Sequence, residues 1–333
     1  MISRLYNEIL ENKQRILVST AELKNQLFAM VKEKLDTKWI TYLPPTNIPS
    51  KNILAIDGGM WSKETRSGVV FIVDAEAVLY DGRNIKRVDD KVLIDAFRPG
   101  NHAKERISLV MQLMELQLAI KNGDKADLIL LDGSLAKKIG RHKVTEKISD
   151  IDDVFTVDDI ISLKERESEE KMHKLLVAEN HYTISLLIEK YREKLLFISK
   201  NSKSSDIFGQ PYSDVVVLEL FTQGIGYTQP IEKTIEDKYV VSKKASRIMS
   251  NLKFYTSLVR LDKDGRILKF DFFERGKLLE FINTLAAISV RGYPYPLLEV
   301  HKDVRISRDD VKRVMRLLGF KPKQEEWWPS QFL

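Results

Sequence analysis

Apolar residues recur at Leu5, Ile9, Ile16, Leu23, Leu27 and Val31 among charged neighbours, which predicts one long helix over residues 2–36. Pro44, Pro45 and Pro49 end that pattern. The spacing then changes. Short, continuous apolar runs at 53–56, 69–73, 77–80 and 92–97 read as buried strands, the last closed by Pro99-Gly100. Residues 103–121 form a strongly apolar helix that stops at Asn122-Gly123, and 128–131 is the next strand. The charged stretch 141–194 is predicted helical, and 195–199 returns to strand. A loop, "KNSKSSD", and the apolar run "VVVLEL" within 214–221 follow. "FYTSLVRLDKDGRILKFDFFE" alternates on both sides of Asp264-Gly265 and predicts a hairpin. Helices are expected at 276–290 and 307–318, separated by the irregular stretch "RGYPYPLLEVHKDVRIS".

This order is three early strands, a helix, a strand, helices and a further strand. It describes an α/β chain whose first strands pair as antiparallel neighbours, unlike the strict alternation of a doubly wound sheet. Neither GxGxxG nor GxxxxGK[ST] occurs. The pattern suits a ribonuclease H-like core with a mixed sheet, helical insertions and a long N-terminal helix. The expected division is a helical segment at 1–48, for dimerisation or packing, and one domain over 49–333 with a helical insertion at about 141–194.

Composition adds limits. The 333 residues are 43% hydrophobic and 31% charged, as a folded chain with an ample core requires. A net charge of +6 permits a polyanionic partner without demanding one. The absence of cysteine excludes disulfides, thiolate metal sites and cysteine nucleophiles. No apolar run approaches the roughly 18 residues of a membrane span. "MISRLYNEILENKQ" lacks a signal-peptide core, so a cytoplasmic location and no membrane partner are expected.

Two stretches carry the chemistry. "ILAIDGG" ends an apolar run on Asp57 and two glycines, and "LILLDGS" does the same at Asp132 and Gly133. A carboxylate at a buried strand end must be solvated, hydrogen-bonded or bound to a cation. The glycines would leave room for a phosphate or metal to approach the backbone. One such Asp alone equally well caps a turn; the matched pair points to a site. Glu115 lies in "ISLVMQLMELQLAI", where an ionised side chain is costly unless paired. It either marks a solvent stripe with Gln112 or approaches Asp132 across the following connection. Three converging carboxylates would bind Mg²⁺ or Mn²⁺ through oxygen and support phosphodiester hydrolysis.

Further candidates are weaker by spacing. His301 and Tyr293 lie in a proline-stiffened segment and read as acid, base, ligand or phosphate contact, or as a surface His and core aromatics. Lys200 opens a Ser-rich loop with Lys203 and reads either as a phosphate contact or, as is commoner, as a solvated loop lysine. "SKKASRIMSNLKFYTSLVR" mixes basic and aromatic residues as single-strand binders do, and as an amphipathic helix running into a strand also does. "EEWWPSQFL" either packs on its own domain or docks a partner through Trp327 and Trp328.

In order and spacing, "ILAIDGG", "LILLDGSL", the strand leading into Lys200 and "YPYPLLEVH" resemble the NurA nucleases of archaea, from about residue 50 to the C-terminus. The long N-terminal helix is similar too. The resemblance implies a ribonuclease H-like core and a homodimer with a central DNA channel. It implies a manganese-dependent 5′ to 3′ exonuclease on single- and double-stranded DNA, with single-stranded endonuclease activity and no organic cofactor. It implies a hexameric HerA helicase as partner in DNA-end resection. The family's acidic positions fall on Asp57, Glu115 and Asp132, and its Tyr and His positions on Tyr293, or the neighbouring Tyr295, and His301. The rival readings are an actin-like or sugar-kinase-like ATPase on the same core, and a non-catalytic DNA-binding adaptor. The first needs a second phosphate loop and a Gly-rich adenosine site, and only 15 glycines are present.

Overall fold

The computed structural model describes residues 2–46, 50–65, 68–140, 146–148 and 167–319, together with positions 159 and 162. Trp327 and Trp328, and much of the expected insertion at 141–194, lie outside the described residues.

Helix α1 spans Ile2–Lys38 and runs directly into a short strand, β1 (Trp39–Thr41). Its apolar stripe divides. Leu27, Val31 and Leu35 are buried against Phe208, Val215, Val217 and Ile267. Leu5, Ile9, Ile16 and Leu23 are 49–59% exposed. Three long strands follow: β2 (Ile53–Glu64), β3 (Val69–Tyr80) and β4 (Ile85–Phe97). They pair as an antiparallel meander. The runs 69–73 and 77–80, expected as two strands, form one. Asp74 and Glu76 interrupt the apolar run without interrupting the ladder, and both sit on one face of it.

Helix α2 (Ala103–Asn122) crosses back to β5 (Leu128–Asp132), which lies parallel to β2. A short helix, α3 (Leu135–Ile139), is N-capped by the Ser134 side chain. Helix α4 (Glu169–Tyr191) then leads to β6 (Leu195–Ser199), parallel to β5. The order β4-β3-β2-β5-β6, with three antiparallel strands followed by two parallel ones, is the ribonuclease H-like core expected from the sequence.

The apolar run at 214–221 is a helix, α5 (Asp214–Phe221). Two short strands, β7 (Gly226–Thr228) and β8 (Ile231–Thr234), and helix α6 (Lys243–Met249) precede the hairpin of β9 (Lys253–Arg260) and β10 (Leu268–Phe272). That hairpin extends the sheet beyond β6, and β7 and β1 continue it to the far edge. Helix α7 (Leu278–Ala287) follows.

The stretch expected to be irregular is not. It forms a miniature hairpin, β11 (Ser289–Val290) with β12 (Tyr293–Pro294), and then helix α8 (Tyr295–Asp303). The prolines fit because both stand at the helix start: Pro294 is the N-cap and Pro296 lies in the first turn, where no intrahelical N–H is needed. Helix α9 (Arg308–Leu317) closes the described chain.

Side-chain alternation sorts the core into layers. Leu54, Ile56, Ile129, Leu131 and Phe197 pack with α2 and α4. Ile53, Ala55, Leu128, Leu130 and Ile198 pack on the other face with α7 and α8. No described helix is long and apolar enough to cross a membrane.

Candidate metal centre

Parallel pairing aligns the two aspartates. Ile56 is in register with Leu131, so Asp57 and Asp132 come next on neighbouring strands. Each follows the face of Ile53-Ala55 or Leu128-Leu130, the one covered by α8. The two strand ends differ. β5 stops at Asp132, whereas β2 continues through Gly58 and Gly59 to Glu64, paired with β3 throughout. Asp57 therefore marks the end of the parallel pairing, within a longer strand.

His301 is in the last turn of α8, and its Nδ1 lies 2.7 Å from Asp57 Oδ2. An Nδ1–H donating there leaves Nε2 as the acceptor of the neutral ring. Tyr293 donates its hydroxyl to Asp132 Oδ1 at 3.0 Å. Lys200, just past β6, places Nζ 3.9 Å from Asp132 Oδ2 and 4.4 Å from the Tyr293 ring centroid. Of the two tyrosines left open by the sequence, Tyr293 reaches the carboxylates. Tyr295 begins α8, its backbone N–H bonded to Ile288.

Glu115 approaches from α2, in the opposite layer, and is 3% exposed. Its carboxylate forms an ion pair with Lys138 of α3, also buried. Gln112, one turn earlier on the same face, donates to the Lys138 carbonyl at 2.7 Å. The pair Gln112 and Glu115 is therefore turned into this pocket, not out to solvent. Asp57, Glu105, Glu115, Asp132, Lys138 and His301 line one continuous pocket.

Lys138 was not among the sequence candidates. The usable signal was periodicity: Leu135, Lys138 and Ile139 share the buried face of α3, and a lysine at such a position needs an acid.

Burial and neighbouring negative charge raise the pKa values of Glu115 and Asp57. Glu115 is pushed up to about 7 by burial, opposed by Lys138 and reinforced by the charges of Asp57 and Asp132. Asp57 is raised by burial and by the Asp132 charge, against the hydrogen bonds from His301 and the Gly58 N–H. Tyr293 is raised well above its ordinary value by burial and by Asp132 and Asp57, so its hydroxyl stays protonated at neutral pH. Clustered acids held at this cost are what an added cation relieves. The donor atoms of Asp57, Asp132 and His301 lie within 4.8 Å of one another. An oxygen-rich set with one imidazole suits Mn²⁺ or Mg²⁺ better than a thiophilic ion.

Gly58 and Gly59 also have a packing reason. A Cβ on Gly58 would stand 2.7 Å from Met111 Cγ and 2.8 Å from Glu115 Oε1. One on Gly59 would stand 1.8 Å from the Val304 carbonyl oxygen. They make room for Glu115 and for the end of α8. Gly133 is needed for its backbone, at φ +93°, in the turn after Asp132.

Residues 51–306 match the NurA domain. A DNA double-strand break repair nuclease NurA of Sulfolobus acidocaldarius is 47% identical over 332 residues, covering 100% of both chains. One of Sulfurisphaera tokodaii is 50% identical over 331 residues, covering 99% of each. The crystal structure of the NurA nuclease from Sulfolobus solfataricus superposes with a TM-score of 0.82 at 35% identity, over 99% of this chain and 100% of that one. A crystal structure of NurA bound to dAMP and manganese shares the fold, with a TM-score of 0.63 at 15% identity over 94% of this chain and 96% of that one. A domain match across most of the chain, together with full-length relatives at about half identity, settles its family: this chain belongs to the NurA family.

Proposed function

We propose that this chain is a divalent-metal-dependent DNA nuclease. Its action is 5′ to 3′ exonuclease on single- and double-stranded DNA and endonuclease on single strands, in the repair of double-strand breaks. The observation that carries the reading is the convergence of Asp57, Asp132 and His301 where the parallel pairing of β2 and β5 ends, with buried Glu115 behind them. The relatives' names as repair nucleases support the substrate.

Asp57, Glu115, Asp132 and His301 would hold manganese or magnesium, two ions in the fullest case. The chemistry such ions supply when bound is activation of a water and neutralisation of charge on the scissile phosphate. The chain's own residues have separate tasks. Tyr293, protonated, gives its one hydroxyl hydrogen to Asp132 in this structure and would turn it to the reacting phosphate once Asp132 holds an ion. Lys200 is a point charge for a phosphate oxygen beside Asp132. Lys138 offsets the charge of Glu115 and holds its carboxylate in place. His301 orients Asp57 through Nδ1 and would offer Nε2 to the ion.

The exposed apolar stripe of α1, from Leu5 to Leu23, supports a homodimer formed through that helix. A HerA-type hexameric translocase, docked by the aromatic C-terminus, completes the proposed resection machinery.

The test is degradation of end-labelled DNA with Mn²⁺ by the wild type and by Asp57→Asn and Asp132→Asn. Each variant should lose at least 100-fold in rate and bind Mn²⁺ more weakly, while melting as a folded protein. Full activity in both variants overturns the mechanism. Mn²⁺-dependent ATP hydrolysis without DNA would favour the ATPase reading instead.

A further inference from the structure

Two of the chain's five histidines meet at one glutamate away from the carboxylate cluster. His102, the N-cap of α2, places Nδ1 3.2 Å from Glu105 Oε2. His173, on the first turns of α4, places Nε2 3.8 Å from the same oxygen. The donor atoms of all three lie within 4.8 Å of one another. We propose that His102, Glu105 and His173 form a second metal site, for a zinc-class transition ion, distinct from the carboxylate centre.

The distances carry the first part. An ion with ligand bonds of about 2.0–2.1 Å and tetrahedral angles sets its ligands about 3.3 Å apart. The separations of 3.2 and 3.8 Å bracket that figure. The donor set carries the second. Two imidazoles with one carboxylate is a borderline-soft combination that selects zinc-class ions, whereas the carboxylate centre suits harder ones. Three protein ligands leave one tetrahedral position for water or an anion.

Scaffolding carries the third. Arg106, the residue after Glu105, is fully buried, pairs with the Glu169 carboxylate and donates to the Glu169 carbonyl at 3.3 Å. Glu169 begins α4, one turn before His173. The two helices bearing the donors are thus clamped next to the site, and little ordering remains for an ion to impose.

One movement is required. The two rings stack, with centroids 4.4 Å apart and planes 19° apart. Parallel rings lay their lone pairs side by side, so ligation turns one imidazole about its Cβ–Cγ bond. His102, at the exposed helix end, has the space to do so.

The site also has a position relative to the chemistry. Glu105 lines the same pocket as Glu115 and stands ten residues from it along α2, about 15 Å by helix rise. An ion there sits at the rim of the pocket and ties α2 to α4.

The test uses the full-length Asp57→Asn/Asp132→Asn protein, in which the carboxylate centre is disabled, titrated with Zn²⁺ and separately with Co²⁺. One Zn²⁺ per chain should remain in calorimetry, and bound Co²⁺ should show the intense visible bands of a four-coordinate ion. Adding His102→Gln and His173→Gln should abolish both. Glu105→Gln, a change at an exposed position that keeps the fold should the histidine variants not, should weaken Zn²⁺ at least tenfold and shift the Co²⁺ bands. No ion retained in the Asp57→Asn/Asp132→Asn protein overturns the proposal. So does binding that survives Glu105→Gln and the histidine changes undiminished. Because the readout is metal uptake without cleavage, failure here leaves the nuclease reading standing.

Discussion

Replacing Glu115 by Gln separates the energetics of the site from its catalysis. The folded protein holds the Glu115 proton up to about 7, against an ordinary value of 4.5. At about 1.4 kcal/mol per pKa unit, ionising this group in the fold costs on the order of 3 kcal/mol in the absence of metal. The native state binds the proton more tightly than the unfolded chain. The contribution of Glu115 to metal-free stability is therefore full below pH ~4.5, falls as pH rises towards 7 and is lost above that. Gln is a close mimic of the protonated acid, with Lys138 beside it in either case. Metal-free Glu115→Gln should then match the wild type near pH 4.5 and exceed it at pH 8 by roughly 4–5 °C in melting temperature. Saturating Mn²⁺ should close most of that gap. A ligand at 100 times its Kd adds about 2.7 kcal/mol to the wild type and less to a variant lacking a ligand oxygen. The assay is thermal unfolding in chelator and in Mn²⁺, at pH 4.5 and 8, beside DNA degradation. A variant less stable than the wild type at pH 8 in chelator would mean that the ion pair with Lys138 outweighs burial. Undiminished nuclease activity would remove Glu115 from the metal centre.

Lys200→Ala should weaken DNA binding on all sequences alike, by about tenfold, and lower the dependence of affinity on salt by about one counterion, read from binding isotherms at several ionic strengths. Trp327→Ala/Trp328→Ala should weaken the complex with a hexameric DNA translocase while leaving the melting temperature of the isolated protein unchanged; loss of the fold would make the tail a core element. Gly59→Ala should destabilise by about 3 kcal/mol or more in denaturant titration and reduce activity, because its Cβ is aimed at the Val304 carbonyl oxygen.

Where the sequence was readable, one element supplied the signal by itself. The apolar runs before Asp57 and Asp132 identify both strands and both acids, because fully buried parallel strands need uninterrupted apolar residues. Glu115 stood out for the opposite reason, as a charge with no local partner. What stayed hidden depended on distant packing. Lys138 meets Glu115 from 23 positions along the chain, in a five-residue helix. Helix α8 was masked because prolines read as breakers, although both occupy the start of a helix, where they are tolerated. The continuity of β2 past Asp57 was invisible because two glycines lower strand propensity; the reason for them lies in α2 and α8. Strand β3 looked divided because Asp74 and Glu76 interrupt its apolar run on the face that follows Val70 and Ile72.

The contact between Asp57 and His301 joins positions 244 residues apart, and that between Asp132 and Tyr293 joins positions 161 apart. During synthesis at about 5–20 residues per second, the first aspartate leaves the ribosome roughly 12–50 seconds before its histidine exists. A nascent chain that stops short of β12 has its acids but neither the tyrosine nor the histidine, and Gly59 still waits for the end of α8. On the function proposed above, competence to cut waits for Tyr293 and His301, and chains released short of them carry an unfinished centre.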